Sequence, residues 1–311
     1  MAQIISTSVQ VYSGTTATTQ VGQTITVQGS PASVALDVST LGVALSPGSQ
    51  YCTRAQCSND EQYTTPWTAP YPFKTLILAE FSEITGGCGN ISPEMLFTYD
   101  SSVLSVSECG IYVSTNASGS NPTKIAASDE QQAGQGWEID TLNENTTYYC
   151  IPFVTDSDGR TYMAPWSDAE SVNTSYRAPV ISIANVATTY NSVSANASIS
   201  TNDTLQGARV TLQAVGGGPV YTKNLTASTG TQNFTFTDGE TDAGGQTVSV
   251  QPNMQYRLVV YGQNTSGCSG SGTGTATTPP QAEASIAITS VTNITPVSAQ
   301  VNLSYGIVSG D

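Results

Sequence analysis

Three times in this 311-residue chain a tyrosine closes the same short frame. The copies are Leu45-x-Pro47-x-Ser49-x-Tyr51, Leu142-x-Glu144-x-Thr146-x-Tyr148 and Val250-x-Pro252-x-Met254-x-Tyr256. Each tyrosine opens an alternating segment: "YCTRAQCSN", "YYCIPFVTDSDG" and "YRLVVYGQNTSG". A side-chain period of two belongs to a strand with one buried face, not to a helix. Other alternating stretches, such as "ITVQ", "GIYVS" and "SAQVNLSY", lie between clusters of Gly, Asn, Ser and Pro. The fold class expected is all-β, and the repeated frame makes it a tandem array.

The front of each unit repeats as well. "VISIANVATTYNSVSANASIS" (180–200) matches "SIAITSVTNITPVSAQVNLSY" (285–305), and "LILAEFSEITGGCGNISPEMLFTYD" (76–100) is a looser copy. These read as strands A and B, with Pro-marked joins at "RAPV" and "TTPPQAEA". Together with "GIYVSTNASGSNPT" and "GWEIDTLNENTTYYCIPFVTDSDGRTY", the frame resembles the tyrosine corner and F strand of fibronectin type III-like and immunoglobulin-like modules. Such modules are common in surface proteins of bacteria and their phages. The resemblance covers most of the chain. It implies tandem Ig/fibronectin type III-like β-sandwiches and specifies no chemistry.

The copies are not all complete. Ile77 to Tyr148 spans 71 residues and Ile181 to Tyr256 spans 75, but only 50 residues precede Tyr51. "STSVQVYSG" aligns best with "SECGIYVST", a strand C. The organisation expected is residues 1–75 as an incomplete sandwich (strands C to G), 76–178 and 179–280 as full sandwiches, and 281–311 as an A–B pair. Half a sandwich buries too little apolar surface to offset chain entropy, and a lone hairpin is marginal. One reading is that residues 281–311 of one subunit complete the N-terminal domain of the next, which makes a head-to-tail homopolymer. The strands involved would carry Ile286, Ile288, Val291, Val297, Val301 and Leu303. Three others stand beside it: a fragment of a longer array, a shorter sandwich using residues 4–28 as its own A and B strands, and ends that meet within one chain.

The chain has no histidine, which removes Ser-His-Asp and Cys-His catalysis and most zinc sites. A net charge of −15 argues against nucleic acid, and no run of 18 apolar residues crosses a membrane. "MAQIISTSVQVYSG" does not read as a signal peptide. Acidic clusters at Asp156 and Asp158, and at Asp238, Glu240 and Asp242, suit either a cation loop or plain turns, and turns are the simpler reading. No catalytic residue, metal site or cofactor is expected.

Of 17 asparagines, 11 lie in N-x-[ST] sequons: Asn90, Asn116, Asn145, Asn173, Asn196, Asn202, Asn224, Asn233, Asn264, Asn293 and Asn302. Chance in so Ser/Thr-rich a chain gives roughly 4 or 5. They are candidate N-glycosylation sites, or the by-product of Thr-rich strands. Among the six cysteines, Cys88 and Cys109 are the expected bridge, while Cys52 and Cys57 are too far apart along one strand. Alternation turns Cys57 inward and Cys52 outward, and puts Cys150 in the core. The run Trp67, Tyr71 and Phe73 could stack on sugars or pack as strand G; Trp137 reads as core. The function expected is structural and non-enzymatic: a subunit of an extracellular filament. A phage virion fibre or head-decoration protein, or a surface adhesin binding glycans, are the alternatives.

Overall fold

The computed structural model describes residues 2–308. It is built almost wholly from antiparallel strands. In the first module, β1 (Ile4–Ser13), β2 (Thr19–Gln28), β3 (Gln50–Asn59) and β4 (Tyr71–Lys74) form one sheet in the order β2-β1-β3-β4. A short helix, α1 (Val38–Leu41), lies between β2 and β3; Asp37 caps it by accepting the Thr40 N–H at 3.1 Å.

The middle module has two layers. One is a hairpin of β5 (Leu78–Gly86) and β6 (Ile91–Thr98). The other contains β7 (Val106–Ser114), β8 (Thr123–Ala126), β9 (Thr146–Asp156), β10 (Thr161–Met163) and β11 (Glu170–Thr174). Here β8, β7, β9 and β11 occupy the places that β2, β1, β3 and β4 hold in the first module. The next module repeats the plan with β12 (Val180–Thr189), β13 (Ser192–Ser200), β14 (Leu205–Ala214), β15 (Val220–Leu225), β16 (Gly230–Thr237), β17 (Gln255–Asn264) and β18 (Ser269–Thr277). Its sheets run β12-β13-β16 and β15-β14-β17-β18. A final hairpin, β19 (Glu283–Thr292) with β20 (Gln300–Val308), pairs only with itself.

The three corner tyrosines do the same job. The hydroxyl of Tyr51 accepts the Ser46 N–H at 2.8 Å, that of Tyr148 accepts the Asn143 N–H at 2.9 Å, and that of Tyr256 accepts the Gln251 N–H at 2.7 Å. This tyrosine corner, with sheet order A-B-E against C′-C-F-G, makes the chain a tandem of Ig/fibronectin type III-like sandwiches. Strand notation places β1–β2 as C and C′, since β1 pairs with β3 in the register by which β7 pairs with β9. Residues 4–28 are therefore not an A–B pair.

Cores differ sharply in size. The middle and following sandwiches each bury a cluster of sixteen apolar residues, Ile111 and Phe236 among them, while the first module buries four: Val11, Ile25, Leu41 and Tyr51. The chain divides into two compact units between Thr174 and Ser175, a few residues ahead of the expected join at Ala178. Within the first unit, Lys74 Nζ pairs with Asp158 at 2.9 Å, Arg160 donates to the Lys74 carbonyl at 2.8 Å, and the Gly48 N–H donates to the Leu76 carbonyl at 2.7 Å. The single-layered module is thus tied to the sandwich that follows it.

Candidate functional site

Among the described residues the first module has no second strand layer, so its inner face is open. That face carries Val9 and Val11 of β1, Val21, Ile25 and Val27 of β2, Tyr51, Thr53, Ala55 and Cys57 of β3, and Tyr71 and Phe73 of β4, as the pairings dictate. Burial runs out along it. Val11 and Tyr51 are buried under Leu41, but Val9, Ala55 and Cys57 are only half-buried and Ile5 is exposed. The equivalent F-strand positions in the middle sandwich, Cys150, Pro152 and Val154, are all buried. A segment at residues 31–36 overhangs the open face and leaves a groove of about 360 Å³, lined by Val9, Val34, Leu36, Ala55, Thr68 and Tyr71.

The β19–β20 hairpin is the converse. Ile286 pairs with Tyr305, Ile288 with Leu303 and Val291 with Val301, so these six side chains share one face. All are exposed, from 41% at Leu303 to 74% at Tyr305. The opposite face is polar: Asn302 donates to Ser290 Oγ at 2.8 Å. In strand A of each hairpin the register shifts once, between Phe81 and Glu83, between Ala184 and Ala187, and between Ile288 and Ser290. β19–β20 therefore has the shape of the other A–B hairpins, with a bare inner face. Val297 corrects the expectation that it sits in a strand. It lies in the loop, 94% exposed, because Thr295 and Ser298 close a turn around Pro296, which has no N–H for a ladder.

Other sequence candidates resolve into structure. Asp156 is buried, and its Oδ1 accepts the N–H groups of Asp158 and Arg160 while Arg160 Nη2 lies 2.8 Å from Oδ2. Asn59 accepts the N–H groups of Glu61 and Tyr63 from the same position, eight residues after the corner tyrosine, and Asn264 accepts that of Cys268. The three residues are caps for the F–G turn. Asn264, a candidate glycan acceptor in the sequence, has a fully buried side chain whose Nδ2 donates to the Arg177 carbonyl. Asp238 and Asp242 accept backbone N–H groups in the same manner, and Glu240 pairs with Lys223. No group of three His, Cys, Asp or Glu among the described residues is placed to hold a metal ion. Of the other sequons, Asn116, Asn145, Asn173, Asn202, Asn224, Asn233 and Asn293 are exposed, and Asn90, Asn196 and Asn302 are half-buried.

One unforeseen carboxylate carries a pH prediction. Burial pushes the Asp203 carboxyl up, but hydrogen bonds from Ser266, Thr265 and Thr204 outweigh it and hold the group at about 2, against an ordinary 3.8. A depressed pKa stabilises the fold fully above the unfolded value, and that contribution is lost as pH falls through the folded one. The second unit is expected to lose melting temperature between about pH 4 and pH 2, and Asp203→Asn to flatten that loss, as read by calorimetry.

The expected Cys88–Cys109 bridge is also corrected. Cys109 is a free thiol inside the middle core, pushed up to about 11 by burial and by the Glu130 carboxylate. Cys88 is disulfide-bonded, but it is exposed in the β5–β6 turn, away from that core position. Cys150 is a buried free thiol, raised to about 12. Cys52 is also buried and free, contrary to its outward expectation, because Tyr12 and Pro72 flank it across the ladder. Cys57 is the one part-exposed free thiol among the described residues. The aromatic run splits: Trp67 joins Tyr12 around the Arg54 guanidinium, at 5.4 and 5.3 Å, while Phe73 stacks on Tyr51 at 5.7 Å. Trp137 is core.

No protein-family model and no curated protein matches the chain. Solved structures do. The FN1–FN3 domains of chicken CNTN1 align over 89% of this chain and 90% of theirs, at 11% identity and TM-score 0.33. A two-domain fibronectin type III segment of chicken tenascin covers 64% of this chain and 97% of its own, at 14% identity and TM-score 0.26. A tetra-tandem repeat from the extending region of a large adhesion protein covers 100% and 82%, at 12% identity and TM-score 0.26. Likeness this loose carries no argument about function, and the fold assignment rests on topology. No helix among the described residues is long and apolar enough to cross a membrane.

Proposed function

We propose that this protein is a structural, non-enzymatic subunit of an extracellular filament, joined head to tail when the β19–β20 hairpin of one copy completes the first module of the next. One observation carries the reading. In the middle sandwich the strands of the second layer, among the described residues, are an A–B hairpin joined by a bridge between Ile91 and Ile139. The first module has a C′-C-F-G sheet with no such hairpin, and β19–β20 is a hairpin of that kind with no sheet. Each bares the apolar face that the other would cover.

The occupant is a second copy of this chain, argued from the repeat itself: residues 285–305 copy residues 180–200, which already cover a C′-C-F-G sheet in their own module. Burying a Leu or Ile side chain is worth roughly 1.5–3 kcal/mol, so six seated residues favour docking strongly. A heterologous contact that does not close on itself propagates as a filament. Exposed sequons on the complete sandwiches are consistent with a glycan coat at the cell surface. The test is the mass of purified protein against concentration by light scattering, with electron microscopy of the same samples. Growth from the 32.3 kDa chain into filaments is expected; a monomer at every concentration contradicts it.

A further inference from the structure

We infer that the docked hairpin adopts a register that sets Ile286 of one copy against the Cys57 thiol of the next. This rests on the complementation reading and adds to it the partner atom at one point of the interface.

The acceptor side fixes one end of the contact. Cys57, Val154 and Gly262 each lie six residues after a corner tyrosine. Each faces strand C at the same step, opposite Thr7, Cys109 and Ala208. In the complete sandwiches strand A covers this spot. A side chain built at position 262 meets Ile181 Cδ1 at 3.1 Å and Pro179 Cβ at 3.8 Å. Val154, 1% exposed, shares its cluster with Ile77, which leads into strand A. Cys57 alone of the three is left part-exposed.

The donor side fixes the other end. Ile181 pairs with Ile199, Ile183 with Ala197 and Ala184 with Asn196 before the register shifts. Ile286 pairs with Tyr305 and Ile288 with Leu303, and then the register shifts. In the aligned copies 180–200 and 285–305, Ile286 stands at the position of Ile181 and Ile288 at that of Ile183. The residue that covers Gly262 within one module thus has its equivalent on the hairpin, and the position it covers has its equivalent on the open sheet. Cys57 supplies the side chain that the glycine lacks.

The register is tested by cross-linking. In Ile286→Cys filaments, mild oxidation joins the new thiol of one copy to Cys57 of the next as a disulfide, with both thiols oxidised and the added oxidant reduced. A ladder of reducible multimers on a denaturing gel is expected. Cys57→Ser in the same chain abolishes the ladder, and Ala287→Cys, which points to the other face, gives none. Filaments without a ladder, or a ladder that survives Cys57→Ser, overturn the register while leaving complementation in place. If the unmodified chain forms no filaments, the reading beneath it fails instead. Should Ile286→Cys not assemble, the unmodified chain still decides. Cys57 is expected to react with N-ethylmaleimide at least tenfold more slowly in filaments than in dispersed subunits, and equal rates overturn the inference.

Discussion

A chain ending at residue 280 is expected to remain monomeric at concentrations where the full chain forms filaments, with both complete sandwiches as stable as before. The two halves of this prediction come from one fact. Every described residue of β19 and β20 is exposed apart from the half-buried Asn302, so the hairpin contributes little to the core of its own module. Removing it is expected to shift the stability of the sandwiches by less than about 0.5 kcal/mol, the ordinary range for surface changes. It would remove all six apolar side chains proposed to fill the first module's open face. Light scattering reads the first half and calorimetry the second. Undiminished filaments show that the hairpin is not the donor. A marked loss of melting temperature shows that it packs within its own chain.

Phe236→Ala is expected to cost about 3–5 kcal/mol, which would remove much of the stability of a domain whose total is roughly 5–15 kcal/mol. Phe236 is fully buried on β16, paired with Val193 and set edge-on to Phe234 at 6.4 Å. Its neighbours, among them Val210, Leu212, Leu258 and Val260, come from the facing sheet and cannot all collapse into the void. Urea denaturation measures the loss. A change under about 1 kcal/mol would mean that the two sheets are not packed as described.

The fold was legible because its signals are local and repeated. The frame before Tyr51, Tyr148 and Tyr256 encodes a turn that each hydroxyl closes over five residues, and alternation then fixes which face each strand buries. The A–B identity of residues 285–305 was legible for the same reason, as a copy of residues 180–200. What escaped depended on backbone conformation or on neighbours distant in sequence. Asn264 reads as a sequon, but it caps a turn from a buried position, and only its alignment with Asn59 and Asp156 could have shown this. Cys52 follows the outward phase of β3, yet Tyr12 and Pro72 cover it. The groove under residues 31–36 had no sequence signal, since that segment has neither strand period nor helical length.

The central claim is that one copy's hairpin fills another's first module, and mixing two blocked subunits tests it most directly. A chain ending at residue 280 keeps the open face and lacks the donor. A chain carrying Ala55→Arg keeps the donor and places a cation in the groove floor, where burial without a partner is prohibitive. Each alone is predicted to stay monomeric, and the mixture to form a one-to-one complex that grows no further, read as mass by light scattering. A mixture that remains two monomers, or one that polymerises, would contradict the account.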